Sequence, residues 1–316
     1  MSEPRFLQLT MADADAERSA ACAALLEPQA RIAPKYFYDR LGSLLFEAIT
    51  ALPEYYPTRT EAAIFARHAA AMAEAIGATG TMIDLGAGNC AKAAALFPLI
   101  EPARYLAVDV SVDFLRDALR RLQREHPRIE MAGLGIDFAD ALDLPAGVLH
   151  GRPLFFYPGS SIGNFMPADA LAFLRRVHRH AEGGGLLIGV DLVKSKPVLE
   201  AAYDDAVGVT AAFNLNVLRH LNRVIGSDFD LRQWQHVALF DETTSRIEMH
   251  LQARSEVQLH WPGGERRFAA GERILTEYSY KYRPADFEAL LSDAGFGRTQ
   301  CWRDDHEHFA VFLAQA

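Results

Sequence analysis

From residue 82 onward, short apolar runs alternate with stretches of helical period. Residues 82–85, 105–110, 129–136, 154–157 and 186–192 are apolar and of strand length. Between them, Val112, Leu115, Leu119 and Leu122 repeat at helical spacing behind Ser111, which is placed to cap that helix. Pro167 opens another helix, ended by Gly183, Gly184 and Gly185, and a further helix continues from the strand at 82–85 through Leu96. Five apolar strands separated by helices predict a parallel sheet covered on both faces. After residue 284 the same style returns, with a helix over 285–294 stopped at Gly295 and strands at 298–302 and 309–313.

Two stretches depart from this pattern. Residues 1–35 read as an irregular lead with one helix over 15–26. Tyr55 and Tyr56 between Pro53 and Pro57 predict a stiff, non-helical segment, and Thr58 with Glu61 has the spacing of a capping box that starts a helix through Ile64, Phe65 and Met72. Residues 197 to about 226 are helical. Then 246–253 alternates strictly, with Ile247, Met249 and Leu251 one way and Glu248, His250 and Gln252 the other. Pro262, Gly263 and Gly264 mark a hairpin between 256–261 and 266–269. The division expected is 60–196 plus 284–316 for the sheet, with 1–59 plus 197–283 as an inserted α+β unit covering the sheet edge where ligands of such folds bind.

Asp84-Leu85-Gly86-Ala87-Gly88 ends the first strand of that alternation. Glycines at a strand-to-helix turn let a ligand approach the backbone and its N–H groups. Ala91 stands where a dinucleotide site wants a third glycine, so a nicotinamide dehydrogenase is disfavoured. A sixth strand leading into an antiparallel seventh points instead to the sheet that binds S-adenosylmethionine (SAM). On that sheet Gly86 and Gly88 admit the methionine end of SAM. Asp109 has the spacing to accept from the ribose hydroxyls, and Asp137 accepts from the adenine with Phe138 beside the ring. A lone aspartate more often caps a helix, but three successive strand ends agree here.

Composition narrows the partners. The 316 residues are half apolar and carry a net charge of −9, which speaks against nucleic acid or an acidic membrane as partner. Cys22, Cys90 and Cys301 are far apart, as in a reducing compartment. With no signal-peptide pattern and no apolar run of spanning length, a cytoplasmic monomer acting on a small molecule is expected. Cys90 has no partner position for a nucleophile. His306 and His308 suit a solvated turn better than a metal site, and none is assigned.

Several motifs outside the glycine turn are more specific. They are Tyr36-Phe-Tyr-Asp39, Leu52-Pro-Glu-Tyr-Tyr-Pro-Thr-Arg59, Gly159-Ser-Ser-Ile-Gly-Asn164, Asp191-Leu-Val-Lys194, Tyr203-Asp-Asp-Ala-x-Gly-Val-Thr210, Arg246-Ile-Glu-Met249 and Thr276-Glu-x-Ser-x-Lys-x-Arg-Pro284. Together they resemble the histidine Nα-methyltransferases of ergothioneine biosynthesis, from about residue 34 to the end. The resemblance implies a Rossmann-like seven-stranded SAM methyltransferase sheet with an inserted substrate-binding domain. It also implies three methyl transfers from SAM to the α-amine of L-histidine, giving hercynine. By position, Asn164 and Tyr203 would hold the histidine carboxylate, and Tyr55, Glu277 and Ser279 would contact the imidazole, with Met249 lining the ring pocket. Phe46 and Phe213 would wall the amine. Gly86, Lys92, Asp109, Asp137 and Phe138 would bind SAM, with Tyr38 near its carboxylate end.

The glycine loop departs from the family's usual Glu-Leu-Gly-Ser-Gly-Thr-Ser-x-Lys. Tyr278, Tyr280 and Tyr282 also make the Glu277 segment bulkier than usual, an expected change to pocket shape. No dedicated base is assigned. The competing expectations are a methyltransferase for another aromatic amino acid such as tryptophan, which the carboxylate of Glu277 disfavours, and an inactive SAM-binding module.

Overall fold

The computed structural model describes residues 3–9, 13–110, 112–139, 141–145 and 147–316, so the expected cap at Ser111 lies outside the described residues. The strands among these residues, in chain order, are β1 Arg5–Gln8, β2 Thr81–Leu85, β3 Arg104–Asp109, β4 Glu130–Gly135, β5 Pro153–Tyr157, β6 Gly185–Asp191, β7 Trp234–Asp241, β8 Arg246–Ala253, β9 Val257–Trp261, β10 Gly264–Phe268, β11 Arg273–Tyr280, β12 Thr299–Arg303 and β13 Phe309–Gln315. The chain divides into two compact units. The first is Met1–Met11, Thr60–Leu192 and Tyr282–Ala316, and the second is Ala12–Arg59 and Val193–Lys281.

In the first unit one sheet has the order β1-β4-β3-β2-β5-β6-β13-β12. The strands from β1 to β6 pair in parallel, and β13 is antiparallel to both β6 and β12. β2, β5 and β6 are buried along their whole length, as strands covered on both faces must be. Alternate side chains go to opposite faces. Ile83, Leu85, Leu106, Val108, Phe155 and Ile188 join one core, while Met82, Tyr105, Ala107, Phe156 and Leu187 join the other.

The sheet has eight strands and not seven. The start of the chain, expected as an irregular part of the inserted unit, supplies β1, which pairs Phe6 with Gly133 and Leu7 with Leu134 beside β4. Four residues with a mostly exposed edge position carry too little pattern to be read as a strand. The glycine turn leads not into one helix but into Ala91–Ala94 and Phe97–Ile100, interrupted where Pro98 must sit in a first turn.

In the second unit β7, β8 and β11 form an antiparallel sheet in the order β11-β8-β7, and β9 and β10 form the expected hairpin. Helices Lys196–Tyr203 and Val209–Ile225 replace the single helix expected. The break holds Asp205, whose carboxylate accepts from the backbone N–H groups of Gly208 (2.7 Å), Val209 (2.9 Å) and Thr210 (2.7 Å), so the second helix starts on a satisfied end. One helix begins earlier than the capping box predicts. Tyr56–Ile76 takes Pro57 into its first turn, where proline's missing N–H costs nothing, so Tyr56 is helical and Thr58 is not the cap.

Candidate active site

In the first unit the expected residues lie at the carboxyl ends of parallel strands. Gly86 and Gly88 follow β2, Asp109 ends β3, Asp137 and Phe138 follow β4, and Asn164 ends a short 3-10 turn (Ser161–Asn164) after β5. Gly86 and Gly88 have φ of +70° and +52°, a region that disfavours side chains. The loop's N–H groups are largely used internally. Gly86 and Ala87 donate to the Val108 carbonyl (2.9 and 3.1 Å), and Gly88 donates to Asp109 (3.1 Å). The glycines therefore provide room more than donors. A Cβ on exposed Gly86 would approach only Phe138, at 3.7 Å, and it is this open floor that fits a bound cofactor. Phe138 stands edge-on to Tyr157, at 5.8 Å between ring centroids. Asp84, the acid before the glycines, is fully buried. It accepts from the Tyr105 hydroxyl at 2.6 Å, and burial pushes its carboxyl up to about 7.

The resemblance did not single out Glu61, yet the structure gives it a central place. It is 1% exposed, one oxygen accepts from the Gly159 N–H at 2.7 Å, and the other meets the Lys92 ammonium at 2.6 Å. One carboxylate thus ties the loop after β2 to the loop after β5. Gly189 makes room for it, since a Cβ there would lie 2.1 Å from Glu61 Oε1. The capping-box reading absorbed Glu61. The remaining clue was a glycine inside the apolar strand β6, the mark of a close approach.

In the second unit five of the expected aromatic residues meet ring to ring. Tyr38 touches Phe46 (5.9 Å between centroids) and Phe213 (6.0 Å), and Phe46 touches Phe213 (5.9 Å) and Tyr55 (6.1 Å). Tyr55 in turn touches Tyr203 at 6.4 Å. Edge-on contacts dominate, as the ring quadrupoles favour. The Tyr203 hydroxyl is 2.8 Å from Ser279 Oγ. Its carbonyl is held by His236 Nε2 at 2.8 Å, whose Nδ1 accepts from Asn214 at 2.8 Å, an arrangement that needs a neutral imidazole with its proton on Nε2. Burial lowers the His236 pKa and agrees with that state.

A bulge aims β11. Leu275 pairs with His250 and Glu277 with Met249, so Thr276 is the extra residue. Ile274 ahead of it and Glu277 behind it can then both face the core side, where Met249 also lies. Glu277 is 9% exposed, and burial pushes its carboxyl from an ordinary 4.5 up to about 7, with Lys281 opposing the rise. The alternation sends Tyr278 and Tyr280 to the opposite face, where they pack on Arg246 (3.8 and 5.5 Å to the ring centroids). Tyr282 belongs to the first unit and stacks edge-on against Phe287. The extra bulk expected of these tyrosines is therefore not turned toward Glu277.

Asn164 belongs to the first unit and Tyr203 to the second, as do Lys92 and Tyr38 respectively. Among the described residues no cluster of His, Cys, Asp or Glu could hold a metal, and no helix is long and apolar enough to cross a membrane.

A parallel sheet closed by an antiparallel last strand, with a left-handed glycine turn and acids at the next two strand ends, defines a SAM-dependent methyltransferase. A family profile described as histidine-specific, SAM-dependent methyltransferase matches residues 17–316, and the chain belongs to that family. The histidine N-alpha-methyltransferase of Mycolicibacterium smegmatis is 42% identical over 95% of both chains. That of Mycobacterium tuberculosis is 40% identical over 89% of both chains. The L-tryptophan methyltransferase of Psilocybe serbica is more distant, at 26% identity over 95% of this chain and 92% of that protein.

Proposed function

We propose that the protein transfers three methyl groups in succession from SAM to the α-amine of L-histidine, giving hercynine, the first step of ergothioneine biosynthesis. The observation that carries the choice of substrate is the buried Glu277 beside Met249, on the strand face that also bears Ser279 next to Tyr203. A carboxylate in a water-poor setting accepts from an imidazole N–H; a phenyl ring offers it no donor, and the larger indole offers one N–H but cannot take up a proton as imidazole can. Family membership and the identity to the two mycobacterial proteins, well above that to the tryptophan enzyme, support the same choice.

We assign SAM to Gly86, Gly88, Lys92, Asp109, Asp137 and Phe138, with Tyr38 at its carboxylate end, and histidine to Tyr55, Asn164, Tyr203, Met249, Glu277 and Ser279. The first unit is then the SAM-binding domain and the second the substrate domain. Bound SAM supplies an electrophilic methyl group. What the protein must do is hold the amine deprotonated and in line, because a protonated amine has no lone pair to offer. Phe46 and Phe213 suit all three rounds. Aromatic walls attract the cation that grows with each methyl, and they need no N–H on an amine that finally has none. No dedicated base is assigned. A variant that lost methylation steeply while keeping histidine affinity would identify one.

The net charge of −9 and the three free cysteines support a cytoplasmic protein working on a small molecule, and a monomer is proposed, which light scattering tests. The decisive assay incubates the protein with SAM and each proteinogenic amino acid and reads mono-, di- and trimethyl products by mass. Histidine should be consumed to the trimethyl form. A preference for tryptophan, or no product from histidine, refutes the proposal.

A further inference from the structure

Strand β6 is buried along its length yet contains Gly189, and the loop after β5 carries Gly159 at φ +80°. Both glycines make room for one ion pair. A Cβ on Gly189 would lie 2.1 Å from Glu61 Oε1, and a Cβ on Gly159 would lie 3.2 Å from the Lys92 ammonium. Both carboxylate oxygens of Glu61 are engaged, Oε1 by the Gly159 N–H at 2.7 Å and Oε2 by Lys92 Nζ at 2.6 Å. At 1% exposure, Glu61 cannot turn to water for a substitute. All of these residues belong to the first unit.

The two partners differ in what they have left to give. The N–H of Gly159 is spent on Glu61. The Lys92 side chain is 42% exposed, and among the described residues its ammonium makes no hydrogen bond besides that to Glu61. An ammonium has three donors, so two remain for a ligand. An exposed lysine without an anchor samples many rotamers and loses them on binding. Glu61 removes that loss in advance by fixing the ammonium between the loops after β2 and β5. Of the groups on SAM, only the α-carboxylate is an anion for it to meet.

We infer that Glu61 is a positioning residue for the cofactor, holding the Lys92 ammonium where it meets the α-carboxylate of SAM. The inference rests on the assignment of Lys92 to SAM, and the test separates the two. Glutamine keeps the shape of Glu61 but gives up one acceptor. Whichever way its amide turns, an NH2 group faces either the Gly159 N–H or the ammonium, donor against donor. S-Adenosylhomocysteine and 5′-methylthioadenosine, which keeps the nucleoside and sulfur but lacks the amino-acid end, are titrated calorimetrically into wild type, Glu61→Gln, Glu61→Asp, Lys92→Met and the double variant of Glu61→Gln with Lys92→Met. Glu61→Gln and Lys92→Met should each weaken S-adenosylhomocysteine about tenfold and leave methylthioadenosine within about twofold, the loss of one charge-assisted hydrogen bond. Glu61→Asp keeps the charge but is one methylene short, and should lose part of the preference. The double variant should bind S-adenosylhomocysteine within about twofold of Lys92→Met, because both changes remove the same contact. Parallel loss of both ligands in Glu61→Gln, a preference kept there while Lys92→Met loses it, or losses that multiply in the double variant would each overturn the inference. Should Glu61→Gln not fold, an unchanged preference in Glu61→Asp would overturn it as well. A preference kept in Lys92→Met would instead overturn the assignment of Lys92 to SAM, and this inference with it.

Discussion

Glu277→Gln should make the free protein more stable and the enzyme worse. The carboxyl is buried, and its pKa moves from 4.5 to about 7 because water is excluded from the charged form. At about 1.4 kcal/mol per tenfold change, holding it ionised costs the folded state about 3 kcal/mol. The sign follows from which state holds the proton. Below pH 4.5 both folded and unfolded chains keep it, and the variant gains nothing. Between 4.5 and 7 the unfolded chain releases it first, so wild-type stability falls as pH rises, and above 7 the full penalty stands. Glutamine has no such dependence. Urea unfolding from pH 4.5 to 8.5, followed by tryptophan emission (Trp234 and Trp261 lie in the second unit), should show the variant's advantage grow from near zero to 1–3 kcal/mol. Histidine turnover should fall over the same range, because an amide both donates and accepts where an acceptor is wanted. Parallel stability curves for the two proteins would show that Glu277 is not held in the folded state as its burial implies.

Gly189→Ala places a Cβ 2.1 Å from Glu61 Oε1, and should cost about 1–3 kcal/mol and weaken S-adenosylhomocysteine binding by disturbing Lys92 and Gly159, read as thermal shifts with and without ligand. His236 is buried and its pKa lies below 6.5, so its contribution is present above pH 6.5 and is lost as the unfolded chain takes up a proton below it. His236→Gln should lose less stability than wild type between pH 6.5 and 5, measured as the urea midpoint. Burial pushes the Cys90 thiol up to about 12, so peptide mapping after iodoacetamide at pH 8 should find it labelled only in denatured protein.

What could be read from the sequence follows from where side-chain pattern and backbone role agree. β2, β3, β5 and β6 are mostly apolar because both faces are covered, and they were legible within a residue or two. β11 was not, for a physical reason. Its inward face after the bulge carries Glu277 and Ser279, and Lys281 follows just beyond, while tyrosines point outward, so the polarity of an ordinary half-buried strand is inverted. A strand that builds a site hides from hydrophobic periodicity, and a resemblance reached it where periodicity did not. Glu61 failed in the opposite way. A familiar local motif explained it, and only the three-dimensional meeting with Lys92, Gly159 and Gly189 showed another role.

The two misses share a cause that bears on the chemistry. Glu277, Glu61 and Lys281 are ionisable residues at least nine-tenths buried, and Glu61 and Lys281 meet partners distant in sequence. Local propensity cannot foresee such groups, because their cost is met by tertiary contacts or by ligands. Glu61 is compensated by Lys92 and the Gly159 N–H, and Lys281 by Tyr203 and Ser279. Burial outweighs the nearby Lys281 charge and keeps the Glu277 pKa raised, and in the proposed function an imidazole N–H from bound histidine would favour its ionised form. Saturating L-histidine should therefore lower the Glu277 pKa and remove most of the stability difference between wild type and Glu277→Gln at pH 8. Persistence of the full difference in the presence of histidine would assign the carboxylate to some role other than binding the imidazole.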